Sequence, residues 1–342
     1  MDKSNIFIKG DKMIKIGFIG CGSISYRHLN ALKNISDVKI VSAIEPNFEN
    51  FKKFEETYGE KLNLYKDEEE MIKKEKLDGI VICSPHTFHF EQIKIALENG
   101  IDVLVEKPAV CSYQEAVEIR KLIEKTGKVV VVAYQRHYMP VINSAKKIIK
   151  ERFGKIVFLS GFLSQHWLHL FKSGKDKRSW RLNPKFSGKG QLIDSGSHFI
   201  AEIFFLTGLT PDKVVSFIDF MGEKVDINSS FIVKFKEGAI GNFGVLGIDP
   251  FWRESLYIWD ENDNLIFISL SDNSYIHFYG EKERKNIEDI EVEVKNPSED
   301  LIKCIKEKKQ PKTTWDIIEK VALLSDMVYN SFFKGKILEV EK

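Results

Sequence analysis

Two short segments carry side chains that can move a proton at an alcohol or carbonyl carbon. Glu106-Lys107-Pro108 supplies an ammonium beside a carboxylate, and Asp194-Ser195-Gly196-Ser197-His198 supplies a carboxylate and an imidazole. On a helix, residues four apart lie on one face about one turn from each other. Oxidising an alcohol needs a base to take the hydroxyl proton, and reducing a carbonyl needs the reverse. An imidazole near its ordinary pKa serves both directions. The Lys107 ammonium can bond the reacting oxygen and favour its alkoxide form. Taken alone, Asp194 can equally be a helix cap, His198 a packed core histidine and Lys107 half of a surface salt bridge.

A third segment supplies a phosphate cradle. Gly20-Cys21-Gly22-Ser23-Ile24-Ser25 follows an apolar run directly. Dinucleotide loops need one glycine for a tight turn, a second for close approach of a pyrophosphate, and a small third residue. Gly20 and Gly22 fill the first two roles, and Ser25 stands where Gly or Ala is usual, its hydroxyl expected to help cap the helix. Ser23 and Ile24 lead into that helix, whose free N–H groups point at the phosphates. Twenty residues past Ser25 comes Glu45, placed to accept hydrogen bonds from the adenosine ribose. A carboxylate there repels a 2′-phosphate, so NAD is expected ahead of NADP; otherwise Glu45 merely ends a strand. Further along, Ser84, Pro85, Thr87 and His89 follow an apolar run and are expected to line the same crevice. Thr87 can also be only a helix cap. Glu106 either orients Lys107 or lines the cofactor site.

The elements that must hold these groups fall into two rhythms. Over residues 13–133, the apolar runs 14–19, 38–44, 79–83, 103–105 and 129–133, with a shorter one near 62–65, alternate with amphipathic stretches such as 91–98 and 113–125. In the last stretch Ala116, Ile119, Leu122 and Ile123 share a helix face. Apolar strands without alternation are buried on both faces, the mark of a doubly wound parallel sheet. A helix over 141–151 and a strand over 155–163 follow. Strands then succeed one another from residue 213 to 294, with Asn262 and Asp263 in a hairpin turn. Helices are expected near 298–308, with Ser298 as N-cap, and 314–333. The expected class is α/β: a dinucleotide-binding domain over 13–137, an α+β domain with a large, mostly antiparallel open sheet over 138–342, and an extension over 1–12.

Bulk properties exclude several alternatives. A net charge of +1 over 342 residues gives no general attraction to nucleic acid or anionic membrane. The four cysteines, Cys21, Cys83, Cys111 and Cys304, form no CxxC pair, so a reducing cytoplasm is expected and a disulfide framework is not. His166 and His169 are spaced like metal ligands, but no carboxylate or cysteine completes a site, and no metal is expected. Residues 1–12 lack the apolar core of a signal peptide, and Met13 is an alternative start. No run of about 18 apolar residues marks a membrane span.

These motifs, with Trp180-Arg181 and Gly190 through His198, occur in an order and spacing that resembles the Gfo/Idh/MocA family, which includes glucose–fructose oxidoreductase and inositol 2-dehydrogenase. The resemblance covers about residues 13–333. It implies an NAD(P)-dependent dehydrogenase acting on a secondary alcohol or carbonyl of a sugar, sugar derivative or cyclitol. It makes Lys107, Asp194 and His198 catalytic, with His198 the acid/base, and places Arg136, Trp180 and Arg181 with them at the substrate and Gln135 at the nicotinamide-side ribose or the substrate. The segment Gln165-His166-Trp167-Leu168-His169 is rich in groups suited to polyols. Many relatives carry arginine where His137 stands here; either Arg136 substitutes for it or His137 marks a different substrate preference. Ser25 and Lys189 also depart from the usual small residues. That leaves the substrate open. Two other readings remain: redox-neutral sugar chemistry with tightly held NAD, and a non-enzymatic NAD-binding sensor. Relatives pair the broad second sheet, so a homodimer or homotetramer is expected.

Overall fold

The computed structural model describes residues 13–173, 178–271, 274–279 and 293–340, so the expected extension over 1–12 lies outside the described residues. Six strands, β1 (Ile14–Ile19), β2 (Val38–Ile44), β3 (Asn63–Tyr65), β4 (Gly79–Ile82), β5 (Asp102–Val105) and β6 (Val130–Val132), form a parallel sheet in the order β3-β2-β1-β4-β5-β6. Every residue of β4, β5 and β6 is buried, as strands covered by helices on both faces must be. The strand order reverses between β1 and β4, and this opens a crevice at the carboxyl ends of the strands.

The remaining strands are β7 (Ile156–Ser164), β8 (Pro211–Asp219), β9 (Asn228–Phe235), β10 (Ile240–Leu246), β11 (Arg253–Asp260), β12 (Leu265–Leu270), β13 (Tyr275–Phe278) and β14 (Leu338–Glu339). Their order is β13-β12-β11-β7-β10-β9-β8-β14, with β7 and β10 parallel and the other pairs antiparallel. Along β9 and β11 buried residues alternate with exposed or half-buried ones, so one face meets a core and the other does not. On the inner face Phe231 and Phe199 both pack against Phe243, with ring centroids 5.7 and 5.8 Å away. Helices Pro140–Arg152, Gly196–Thr207 and Trp315–Lys334 cover that face. Phe158, Phe162, Ile232 and Leu246 are exposed on the other. Asn262 and Asp263 turn the chain between β11 and β12, and Asp263 takes the left-handed φ of 62° that a short polar side chain tolerates.

Two local expectations are corrected. The cap of helix Pro297–Glu307 is Asn296, whose side chain accepts the Glu299 N–H at 3.0 Å. Pro297 starts the helix without needing an N–H partner, and this leaves the Ser298 hydroxyl free to bond elsewhere. Asp194 and His198 do not share one helix: the chain forms Gln191–Asp194, breaks at Ser195 and resumes as Gly196–Thr207. Helix Pro297–Glu307 also packs back on the first sheet, where Leu301 and Ile302 join a core containing Phe18, Leu29 and Leu104. Among the described residues, no helix is long and apolar enough to cross a membrane.

Candidate active site

The loop after β1 is shaped by contact with the loop after β4. Gly20 has φ +89°, and a Cβ there would stand 2.8 Å from the Cys83 carbonyl carbon. Only glycine fits so close a crossing. A Cβ on Gly22 would meet nothing within 4 Å. That open space lies before helix Ser25–Leu32, whose N-terminus has no side-chain cap. A bare helix N-terminus facing open space is suited to a phosphate. The Ser25 hydroxyl, expected from sequence to help cap the helix, instead donates back to the Gly22 carbonyl at 2.6 Å. Ser23 is exposed and Ile24 half-buried at the same turn. The Glu45 carboxylate accepts the Cys21 N–H at 2.7 Å and the Asn47 N–H at 2.9 Å. Each oxygen keeps lone-pair capacity for a hydroxyl. These residues fit a dinucleotide.

Lys107 leaves the end of β5 and crosses to Asp194. Its Nζ donates to Asp194 Oδ1 at 2.6 Å and to the Asp194 carbonyl at 2.9 Å. Asp194 Oδ2 accepts from Arg181 Nε at 2.9 Å and from Trp167 Nε1 at 2.7 Å. The side chain of Asp194 is 3% exposed. Burial by itself would raise its pKa, but the Arg181 and Lys107 cations override this and hold the carboxyl well below its usual range. His86, also buried, places Nε2 3.6 Å from Asp194 Oδ1. Burial pushes the His86 pKa well down against the pull of Asp194.

His198 stands one turn along the next helix. Its ring meets Tyr134 edge-on at 5.5 Å, and its buried Nδ1 has no hydrogen-bond partner among the described residues. Burial, and then the Arg136 and Lys107 charges, keep its pKa well below the ordinary value. The ring is therefore a neutral proton acceptor at physiological pH.

Residues 14–134 match the family model described as an oxidoreductase family with an NAD-binding Rossmann fold, and residues 142–256 match the GFO/IDH/MocA C-terminal domain. The chain belongs to the Gfo/Idh/MocA family. It is 29% identical over 231 residues to glucose-6-phosphate 3-dehydrogenase of Bacillus subtilis, an alignment covering 66% of this chain and 60% of that protein. It is 25% identical over 208 residues to D-glucoside 3-dehydrogenase of Escherichia coli, covering 59% and 56%. The matches thus span less than two thirds of these relatives. An oxidoreductase domain protein from Kribbella flavida superposes with a TM-score of 0.84 at 18% identity, covering 96% of this chain and 99% of that one; at that identity the likeness is one of fold.

Within this member of the Gfo/Idh/MocA family, several expected residues are committed to the scaffold. His89 is fully buried, its ring nitrogens 2.8 Å from the carbonyls of Pro108 and Ser84. It clamps two loops. Thr87 bonds the carbonyls of Lys185 and Phe186, at 2.9 and 3.3 Å, and so holds the following domain's loop. The Ser84 hydroxyl is taken by Gln92, and Pro85 precedes the short turn His86–Phe88. Glu106 is buried, and Gln135 Nε2 donates to it at 3.3 Å.

The substrate-side residues divide similarly. Trp180 lies edge-on to His86 at 4.8 Å, with the Arg181 guanidinium 4.4 Å above its ring. Arg181 keeps one buried nitrogen, Nη1, without a hydrogen-bond partner among the described residues. Arg136 is drawn to the buried Glu254 and lies over Trp252. It is therefore anchored by protein and not free to replace an arginine at 137. His137 is fully buried, stacked on Phe205 at 4.1 Å and bonded to Thr313. It packs in the core. In the segment 165–169, Trp167 is buried against Asp194, while His166 and His169 are exposed. Two further neighbours of Asp194, His86 and Trp167, do not stand out in the sequence. Both lay in segments already singled out, but nothing in their spacing separated them from their neighbours.

Proposed function

We propose that this protein is an NAD(P)-dependent dehydrogenase that moves hydrogen between a nicotinamide cofactor and a secondary alcohol or carbonyl of a sugar, sugar derivative or cyclitol. The observation that carries the reading is the Lys107–Asp194 pair, 2.6 Å apart at the carboxyl ends of the parallel strands and close to a neutral His198. The named activities of the relatives, on glucose 6-phosphate and D-glucosides, support a sugar-class substrate.

Gly20, Gly22, Ser23, Ile24 and Glu45 would hold the dinucleotide, with Glu106 and Gln135 near its reactive end. Glu45 supports NAD over NADP, because a carboxylate just after β2 favours ribose hydroxyls and repels a 2′-phosphate. A bound nicotinamide supplies hydride exchange with the carbinol carbon. The chain's own residues supply the rest. Lys107 bonds the substrate oxygen and stabilises negative charge as the proton leaves. Asp194 orients Lys107 and, with Arg181 and Trp180, bounds the pocket. His198 takes the hydroxyl proton in oxidation and returns it in reduction.

We further propose the division into domains at 13–137 and 138–342, a cytoplasmic location and a homodimer or homotetramer. The exposed Phe158, Phe162, Ile232 and Leu246 on one sheet face support assembly, since so apolar a face favours being covered.

The test is reduction of NAD by purified protein over a panel of inositols, aldoses, sugar phosphates and glycosides, with Lys107→Met as control. Turnover that requires Lys107 is expected. A folded, NAD-binding protein with no turnover on any of them would overturn the reading.

A further inference from the structure

We propose that His28 is a positioning residue that sets the Lys107 ammonium through Glu106 and ties its placement to helix Pro297–Glu307. The proposal rests on the dehydrogenase reading above. His28 lies one turn into the helix that follows the phosphate cradle and is 1% exposed. Its Nε2 is 3.0 Å from Glu106 Oε1, and its Nδ1 is 2.9 Å from Ser298 Oγ. One tautomer satisfies both contacts: Nε2–H donates to the carboxylate while Nδ1 accepts from the hydroxyl.

Glu106 is the hub. Its Oε1 receives His28 and Gln135, and its Oε2 accepts the Lys107 main-chain N–H at 3.2 Å. Both oxygens are occupied, so the carboxylate cannot rotate without losing a partner. Burial pushes the Glu106 pKa up, but the His28 bond and the nearby charges bring it below the ordinary value, and the group stays ionised. Pro108 contributes no N–H, so the backbone around Lys107 is held by the Lys107 N–H donating to Glu106 Oε2 together with the Glu106 N–H donating to the Ile82 carbonyl at 2.9 Å. From there Lys107 reaches Asp194.

The chain of contacts runs Ser298, His28, Glu106, Lys107, Asp194. It joins the cofactor helix, the reacting lysine and a helix 270 positions away from His28 in sequence. A purely space-filling role would not need it, because a buried histidine and carboxylate cost more to desolvate than an apolar pair of the same shape. The pair is kept where it can hold an orientation.

The variants are His28→Ala, His28→Gln and Ser298→Ala in the full-length protein. Gln can still donate to Glu106 from a similar position. We expect kcat in His28→Ala to fall by about 10- to 100-fold, with the sugar KM changed less than about 3-fold, as when an orienting partner is removed. His28→Gln recovers most of the loss, and Ser298→Ala shows a smaller one. A second readout needs no substrate: acylation of Lys107 by acetic anhydride, followed by mass spectrometry. It should rise severalfold in His28→Ala as the ammonium leaves Asp194, and return towards wild type in His28→Gln. Unchanged Lys107 acylation in folded His28→Ala would overturn the proposal, as would equal losses in the Ala and Gln variants. A wild-type protein with no turnover would instead overturn the dehydrogenase reading.

Discussion

The Lys107 ammonium lies 2.6 Å from Oδ1 of Asp194, and the same carboxylate accepts Arg181 through Oδ2 at 2.9 Å. Two cations from different parts of the chain therefore depend on one buried anion. Asp194→Asn leaves both without a counter-charge. We expect a loss of about 3 kcal/mol in stability, the scale for breaking a buried ion pair, and at least ~100-fold in kcat. The pH dependence follows from the sign of the shift. The folded pKa of Asp194 is depressed, so its contribution is complete above the unfolded value of about 3.9 and is lost as pH falls through the folded value. Thermal unfolding measured from pH 6 to pH 3 should be flatter in Asp194→Asn than in wild type. Parallel profiles would remove Asp194 from this role.

His198 tests the acid–base assignment. Burial first, then Arg136 and Lys107, hold its pKa well below the ordinary value. The neutral ring needed for oxidation thus persists to lower pH than a free histidine would allow. We expect kcat/KM for alcohol oxidation to stay level from pH 8 to about pH 6, with no half-maximal point near the ordinary value of about 6.5. His198→Ala should lower kcat by about 10²- to 10⁴-fold. An acid limb centred near pH 6.5, or a His198→Ala variant with normal kcat, would reassign the base. Because the folded pKa is lowered, the ring also makes the fold less stable as pH drops below its unfolded value.

What the sequence disclosed depended on how local each signal was. β1, β2 and β4 are legible as apolar runs because strands buried on both faces leave no polar positions. The second sheet is legible in outline, but its order is not, since β7 pairs with both β10 and β11 across long stretches of chain. Lys107 and Asp194 could be picked out by motif, yet their contact bridges 87 positions. The four-residue spacing of Asp194 and His198 suggested one helix face. The helix is interrupted at Ser195, and the carboxylate bonds Lys107. Ser298 has the composition of a cap, but Asn296 takes that role and Ser298 turns to His28. Such exchanges are decided by tertiary partners, which local propensity does not encode.

Glu202 and Glu254 present a different test. Both are buried, and their carboxyl groups face one another beside the Arg136 guanidinium, with His198 one turn from Glu202 on the same helix. Burial and the neighbouring Glu254 push the Glu202 pKa well up, and burial raises that of Glu254 against Arg136. Two carboxyls facing one arginine are expected to share a proton. A raised folded pKa means that stability is lost as pH rises above the unfolded value of about 4.3. Glu202→Gln keeps the hydrogen-bonding shape without the titration. We expect its melting temperature to exceed that of wild type by several degrees at pH 8, with a smaller gain at pH 5. No gain at pH 8 would show that the pair carries no shared proton.

The two cradle glycines separate folding from cofactor binding. Gly20 needs a positive φ, and its Cβ would meet the Cys83 backbone at 2.8 Å. Gly20→Ala therefore strains the fold itself, at a cost of about 1–3 kcal/mol, seen as a lower melting temperature without any cofactor. Gly22 is different, since its added Cβ would touch no protein atom within 4 Å. Gly22→Ala should melt within about 2 °C of wild type, a shift of under ~1 kcal/mol. It should nonetheless bind NAD about 10-fold more weakly, because the new methyl occupies space left for the pyrophosphate. Calorimetric titration with NAD, paired with thermal unfolding of the free protein, reads both quantities. Wild-type NAD affinity in Gly22→Ala would place the phosphates elsewhere. A loss of stability matching that of Gly20→Ala would mean that both glycines serve the turn alone.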